Sequence, residues 1–340
     1  MSSLSIHRAR ATALAIVAVA ALLAATAGCD NHPAGGQQAL GNSLGRLPTR
    51  LPSEMGSAIP SVTPERSSTS SPPRSTASPS FGDSRAWSED FDGPRGTLPE
   101  PSLFSFQTGG NGWGNKEVET YTDRPQNASL DGHGDLVLTM RHENFTGSDG
   151  TPRHYTSARL TTLGHWSFET GTLSARIQLP TGAGLWPAFW LVGTNIDKVG
   201  WPACGEIDVV ETVNSGDTEY TSVHGPDDAG KFWTISGHRQ ASSFPVGRGD
   251  YGASSADKSF GDGFHVYSVT RAPGSITARI DGIVIGHLTR SALKPGQRWV
   301  FDEPMAALLN VAVGGFWPGA PTPGTPASAS MVVDWLRYEP

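Results

Sequence analysis

The stretch Gly171-Thr-Leu-Ser-Ala-Arg-Ile-Gln-Leu179 decides the fold class. Leu173, Ala175, Ile177 and Leu179 fall on one side of an extended chain; Thr172, Ser174, Arg176 and Gln178 fall on the other. A period of two is the signature of a strand with one buried and one wetted face. Short β-branched or aromatic runs of the same kind recur at Asp135–Arg141, Ala188–Val192, Glu206–Thr212, Phe264–Thr270, Ser275–Ile280, Ala306–Val313 and Met331–Tyr338. Gly, Pro, Asn and Asp punctuate them, and Asp281-Gly282 reads as the turn of a hairpin after Ser275–Ile280. Thr289–Leu293 is the one short helix expected, and no internal repeat is visible. Many short strands in one unit predict an all-β sandwich.

The aromatic residues fix where that unit lies. All 29 Phe, Tyr and Trp stand at or after Phe81 in a chain of 340 residues. Residues 1–80 therefore have little large apolar surface to offset the entropy of ordering. His7, Arg8 and Arg10 precede an apolar run from Ala11 to Ala27, and Gly28-Cys29 follow. Seventeen residues are at the short edge for a bilayer crossing, so residues 1–28 read as an export signal. Thr26-Ala27-Gly28-Cys29 resembles a bacterial lipobox, which makes Cys29 the expected lipidated first residue of the mature chain. From Ser53 to Ser80, 18 of 28 residues are Ser, Thr or Pro. Residues 29–85 are thus expected to be a tether, and residues 86–340 the folded unit, exported and held at a membrane.

The folded unit carries 28 acids against 18 bases, a balance near −10. That argues against nucleic acid and polyanionic polysaccharide as main ligands and fits a neutral one. Ten Trp offer flat apolar faces suited to sugar rings, although each alone reads equally as core. With only two Cys there is no disulfide framework. If Cys29 is lipidated, Cys204 is a free thiol, most simply a small buried residue.

Glu206-Ile-Asp-Val-Val-Glu211 carries the chemistry. Its apolar β-branched residues place three acids along one strand. Glu206 and Asp208 share a face, and Glu211 has the wrong parity unless a β-bulge turns it back. Three carboxyls on one face repel one another, which raises at least one pKa toward the range a general acid needs.

Trp201-Pro-Ala-Cys-Gly-Glu-Ile-Asp-Val-Val-Glu211 resembles the active-site strand of glycoside hydrolase family 16, in its laminarinase-like branch. Further blocks follow in family order: Gly112-Trp-Gly-Asn-Lys-Glu117, Tyr155–Arg159, Gly184-Leu-Trp-Pro-Ala-Phe-Trp190, Asn310–Gly319 and Val333–Arg337. The resemblance implies a jelly-roll sandwich of two curved antiparallel sheets with a concave cleft, and a retaining endo-β-1,3-glucanase. It makes Glu206 the nucleophile, Glu211 the acid/base and Asp208 the support of the nucleophile. Trp186 and Trp190 become sugar platforms, Arg159 and His224 polar contacts, and Asn115 and Trp317 cleft residues. Taken alone, Arg159 reads as a surface arginine and His224 as a loop histidine. The resemblance implies no cofactor for catalysis. It does imply a structural calcium on Asp90, the Gly132 carbonyl and Asp334. Phe104, and Thr270-Arg271, depart from the family pattern, and Lys231–Lys258 matches nothing in it. The expected partner of this monomer is a neutral β-glucan. Another β-glycan such as galactan, transglycosylation, and a non-catalytic glucan-binding domain are the alternatives; the Glu pair argues against the last.

Overall fold

The computed structural model describes residues 85–243 and 259–340. The signal segment, Cys29, the tether up to residue 84 and residues 244–258 of the unmatched stretch lie outside them.

The first strands are Trp87–Glu89 (β1), Ser105–Phe106 (β2), Thr120–Tyr121 (β3), Ala128–Leu130 (β4), Leu136–Thr146 (β5), Pro152–Ser157 (β6), Arg159–Thr161 (β7) and Gly171–Gln178 (β8). Leu185–Gly193 (β9), Glu206–Thr212 (β10), Thr218–Pro226 (β11) and Phe232–Gln240 (β12) follow. His265–Ala272 (β13), Ser275–Ile280 (β14), Ile283–Thr289 (β15), Met305–Val313 (β16) and Ser328–Glu339 (β17) complete the set. One sheet runs β15-β14-β13-β8-β17-β5-β6-β3, with β1 beside β17 and β4 beside β5. The other runs β12-β11-β10-β9-β16-β7-β2. Pairing is antiparallel except between β3 and β6, which run parallel.

The alternation that predicted β8 is realised: Leu173, Ala175 and Ile177 are buried while Thr172, Ser174, Arg176 and Gln178 are half-exposed. The strands expected at Glu206–Thr212 and Ser275–Ile280 have those bounds, and the one expected at Asp135–Arg141 runs from Leu136 to Thr146. Asp281 and Gly282 both have positive φ, 49° and 77°, as a tight hairpin turn requires. Thr289–Leu293 yields only a 3₁₀ turn, Arg290–Ala292.

The core fills the space between the sheets. Leu185, Phe189 and Leu191 of β9, Ile207 of β10 and Leu309, Val311 and Val313 of β16 pack against Leu173 and Ile177 of β8 and Val333 of β17. Each such burial contributes about 1.5–3 kcal/mol. Trp166 ties β1 to β17, 4.8 Å from the Trp87 ring and 5.1 Å from that of Tyr338. Arg271, one of the departures from the family pattern, is fully buried; its guanidinium donates to the carbonyls of Phe168, Phe301 and Glu303. Three carbonyls on its Nη atoms offset much of the cost of burying this charge, while Nε has no partner among the described residues.

Candidate active site

Alternation in β9 sends Leu185, Phe189 and Leu191 inward and Trp186, Ala188 and Trp190 to the outer face of the sheet. β10 does the same with Ile207 against Glu206 and Asp208, but then breaks step. Asp208 pairs with Ser222 and Glu211 with Tyr220, so three residues of β10 advance against two of β11. Val209 and Val210 both enter the core and Glu211 returns to the outer face. This is the bulge that the parity of Glu211 demanded.

The three carboxyls line a cavity of about 390 Å³, measured with the part open to solvent. Its walls include Trp113, Asn115, Glu117, Arg159, Trp186, Trp190 and Asn310. Arg159 is buried, not superficial. Its guanidinium lies 4.6 Å from the Trp113 ring and 4.7 Å from the Trp190 ring, and its Nε donates to Gln107 Oε1 at 2.6 Å. His224 is buried on β11, not on a loop. Its Nε2 is 3.0 Å from Asp208 Oδ2 and 3.9 Å from Glu206 Oε1, while its Nδ1 meets Thr234 Oγ1 at 2.8 Å. Trp186 Nε1 donates to Glu211 Oε1 at 2.8 Å, and Trp190 Nε1 to Asn310 Oδ1 at 2.8 Å. Trp317 stands at the rim, edge-on to Trp186 at 5.4 Å and to Tyr220 at 4.8 Å.

Burial, reinforced by Asp208, pushes Glu206 up to about 8. Burial pushes Asp208 up to about 8 as well. Burial and the Asp208 charge raise Glu211 well above the usual range, against the Trp186 hydrogen bond. Carboxyls this close and this buried cannot all ionise together, so the cluster retains a proton, as a site that needs an acid must, while leaving a carboxylate to act as nucleophile. Cys204 packs among Trp190, Val192 and Ile196, and burial pushes its thiol up to about 12, so it is an inert filler.

Sequence reasoning gave no role to Trp113, Glu117 or Asn310. Gly112 to Glu117 is a loop in which Trp113 and Lys116 adopt positive φ, 46° and 59°, and that coiling turns Trp113, Asn115 and Glu117 to one side. A second aromatic pair, Trp201 and Phe232 at 5.3 Å, flanks His224 on the other side of β10.

Asp90 and Asp334 are differently engaged. Asp90 Oδ1 accepts from Ser88 Oγ at 2.9 Å and meets Arg337 Nη2 at 3.2 Å; Asp334 Oδ2 meets Arg176 Nη1 at 2.5 Å. As placed, each of these carboxylates compensates an arginine through one oxygen, and its other oxygen is the one a calcium shared with Gly132 would take. Among the described residues, the one group of three acidic or histidine side chains with ligand atoms within 4.8 Å of one another is Glu206, Asp208 and His224.

A sandwich whose outer sheet face carries buried carboxyls beneath indole rings is built to cleave glycosidic bonds. Residues 128–265 match the family described as "XgeA-like, catalytic GH16 domain". The chain is 33% identical over 261 residues to a beta-glucanase of Rhodothermus marinus, covering 74% of this chain and 83% of that one. It is 31% identical over 245 residues to a glucan endo-1,3-beta-glucosidase of Cryptopygus antarcticus, with 69% and 82% covered. The catalytic domain of an endo-1,3-beta-glucanase (laminarinase) from Thermotoga petrophila RKU-1 superposes with a TM-score of 0.63 at 36% identity, covering 74% of this chain and 96% of that one. The chain belongs to glycoside hydrolase family 16, and its sandwich is the jelly roll of that family. It is a glycosidase of the endo-β-glucanase kind.

Proposed function

We propose that this domain hydrolyses internal β-1,3-glucosidic bonds of neutral β-glucans by a retaining double displacement, outside the cytoplasm and tied to a membrane through Cys29. The observation that carries the reading is a set of unpartnered polar atoms. Asn115 Oδ1, Arg159 Nη2 and Glu206 Oε2 are buried with no hydrogen-bond partner among the described residues, and all three residues line one cavity. Buried polar groups find partners, so these are left for the hydroxyls and reacting carbon of a ligand. Trp113, Trp186 and Trp190 supply the apolar faces that sugar rings cover.

In the first step a Glu206 carboxylate oxygen attacks the anomeric carbon, the glycosidic bond breaks, and the departing oxygen takes the Glu211 proton. In the second step Glu211 takes a proton from water, whose oxygen attacks the same carbon and frees Glu206. Asp208, held by His224, sits beside Glu206 and steadies its charge. One chain supplies every group.

Digestion of a panel of neutral β-1,3-, mixed-linkage and β-1,4-glucans and galactans tests the reading. The expected result is an early spread of oligosaccharide sizes from β-1,3-glucan. Cleavage of galactan alone, products longer than the substrate, or binding without cleavage each overturns it in favour of the corresponding alternative.

A further inference from the structure

Glu119 is fully buried and has no part in the displacement scheme. Its Oε2 accepts the Val313 amide at 2.7 Å, which pins the Gly112–Glu119 segment to the end of β16. Its other oxygen is buried with no hydrogen-bond partner among the described residues, and the Glu117 carboxyl is a close charged neighbour of the side chain. Two carboxyl groups bond each other only through a proton.

The direction of the surrounding hydrogen bonds says which group carries that proton. The Trp190 indole can only donate, so Asn310 Oδ1 accepts from it at 2.8 Å. Asn310 Nδ2 then donates to the Tyr121 hydroxyl at 3.2 Å, and Tyr121 passes its own proton to Glu117 Oε2 at 3.1 Å. Asn115 Nδ2 donates to Glu117 Oε1 at 3.0 Å. Glu117 is the acceptor at the end of every path.

We infer that Glu119 is a neutral carboxylic acid whose proton is donated to Glu117, closing a one-way hydrogen-bond chain that positions the Trp190 ring and the Glu117 carboxyl at the sugar site. Glu119 touches no ligand; it is a positioning residue. Burial and then the Glu117 charge raise it well above the usual glutamate range, in line with that state. Burial and the two carboxyls also raise Tyr121, so the phenol keeps the proton it donates. Arg159 also faces this cluster, and β16 contributes the neutral Asn310 side chain and the Val313 amide.

A carboxyl raised by folding contributes stability that is complete below its unfolded value and is lost as pH rises through its folded value. The thermal midpoints of the parent protein and of Glu119→Gln, compared at pH 6 and pH 10 without ligand, read this directly. The parent is expected to lose at least about 3 °C more than Glu119→Gln, whose amide cannot ionise. The ligand half of the inference rests on the glucan reading. At pH 6, Glu119→Leu is expected to raise KM for a β-1,3-glucan about tenfold with a smaller change in kcat. Glu119→Gln should recover most of that loss, since its amide still accepts from Val313 and donates to Glu117. Equal pH dependence of the two midpoints, or an unchanged KM in Glu119→Leu, overturns the inference. If no β-glucan binds any variant, the proposed substrate fails while the midpoints still report the proton. If Glu119→Leu does not fold, the comparison with Glu119→Gln decides alone.

Discussion

Glu206 and Glu211 carry the same functional group, and only their surroundings separate them. Glu211 receives the Trp186 indole proton on one oxygen, whereas Glu206 keeps a free Oε2 and lies 3.9 Å from His224. If Glu211 is the proton donor, its loss matters only where the leaving group needs a proton. Glu211→Gln is expected to lose about 10²–10⁴-fold in kcat on glucan and far less on an activated aryl glycoside. Glu206→Gln should be inactive on both, with Asp208→Asn milder. Equal losses for Glu211→Gln on the two substrates would remove it from the acid role. The same burial has a cost in stability. Folding raises Glu206 to about 8, so the folded state binds a proton more tightly than the unfolded chain between about 4.5 and 8. Stability from this group is complete below the lower value and is lost as pH rises through the upper one. The parent's thermal midpoint should therefore fall from pH 5 to pH 9, and Glu206→Gln should fall less and exceed the parent at pH 9. A parallel fall in both would show that Glu206 is not the group that titrates.

At the scale of elements, legibility follows how local the cause is. β10 was readable because its acids, its valines and its bulge all lie within seven residues. β9 was readable in part: a strand was expected over Ala188–Val192, and Trp186 and Trp190, four apart, share a face once that strand runs regularly from Leu185. Arg159 was not: its burial depends on two rings from other elements and on Gln107. The burial of Arg271 likewise depends on carbonyls from two distant loops. Glu117 and Asn310 stood in quoted motifs, yet their roles arise only where a loop and β16 meet. The bulge also bears on the proposed stereochemical outcome. With one extra residue, Glu206 and Glu211 span about four strand steps, roughly 13 Å. Two side chains leaning toward one sugar cover roughly 3.5–4 Å each, which leaves about 5–6 Å between the carboxyl groups. That is the spacing of a retaining pair and is too small for the water an inverting enzyme places between its acids. Proton NMR in the first seconds of digestion, before mutarotation, should show the β-anomer. An initial α-anomer signal would exclude a covalent intermediate on Glu206.

At the scale of the whole molecule, charge and anchor bear on the same question of where the substrate is met. The folded unit's balance of 28 acids to 18 bases sets up a field that repels anionic polymers and is indifferent to neutral glucans. Such polymers are too large to be brought to a cytoplasmic enzyme, so the proposed activity and the proposed export support one another. The apolar run of 17 residues ends at Gly28-Cys29, and the mature chain would then begin with its thiol. A single acyl chain gives only marginal, reversible membrane binding, so stable retention takes at least two. Mass spectrometry of the mature N-terminal peptide is therefore expected to find Cys29 bearing more than one acyl chain. Cys29→Ser should move the protein to the soluble fraction, or block its processing, without changing kcat/KM on a soluble glucan. Membrane retention of Cys29→Ser together with an unacylated N-terminus would overturn the anchor and leave the glucanase reading standing.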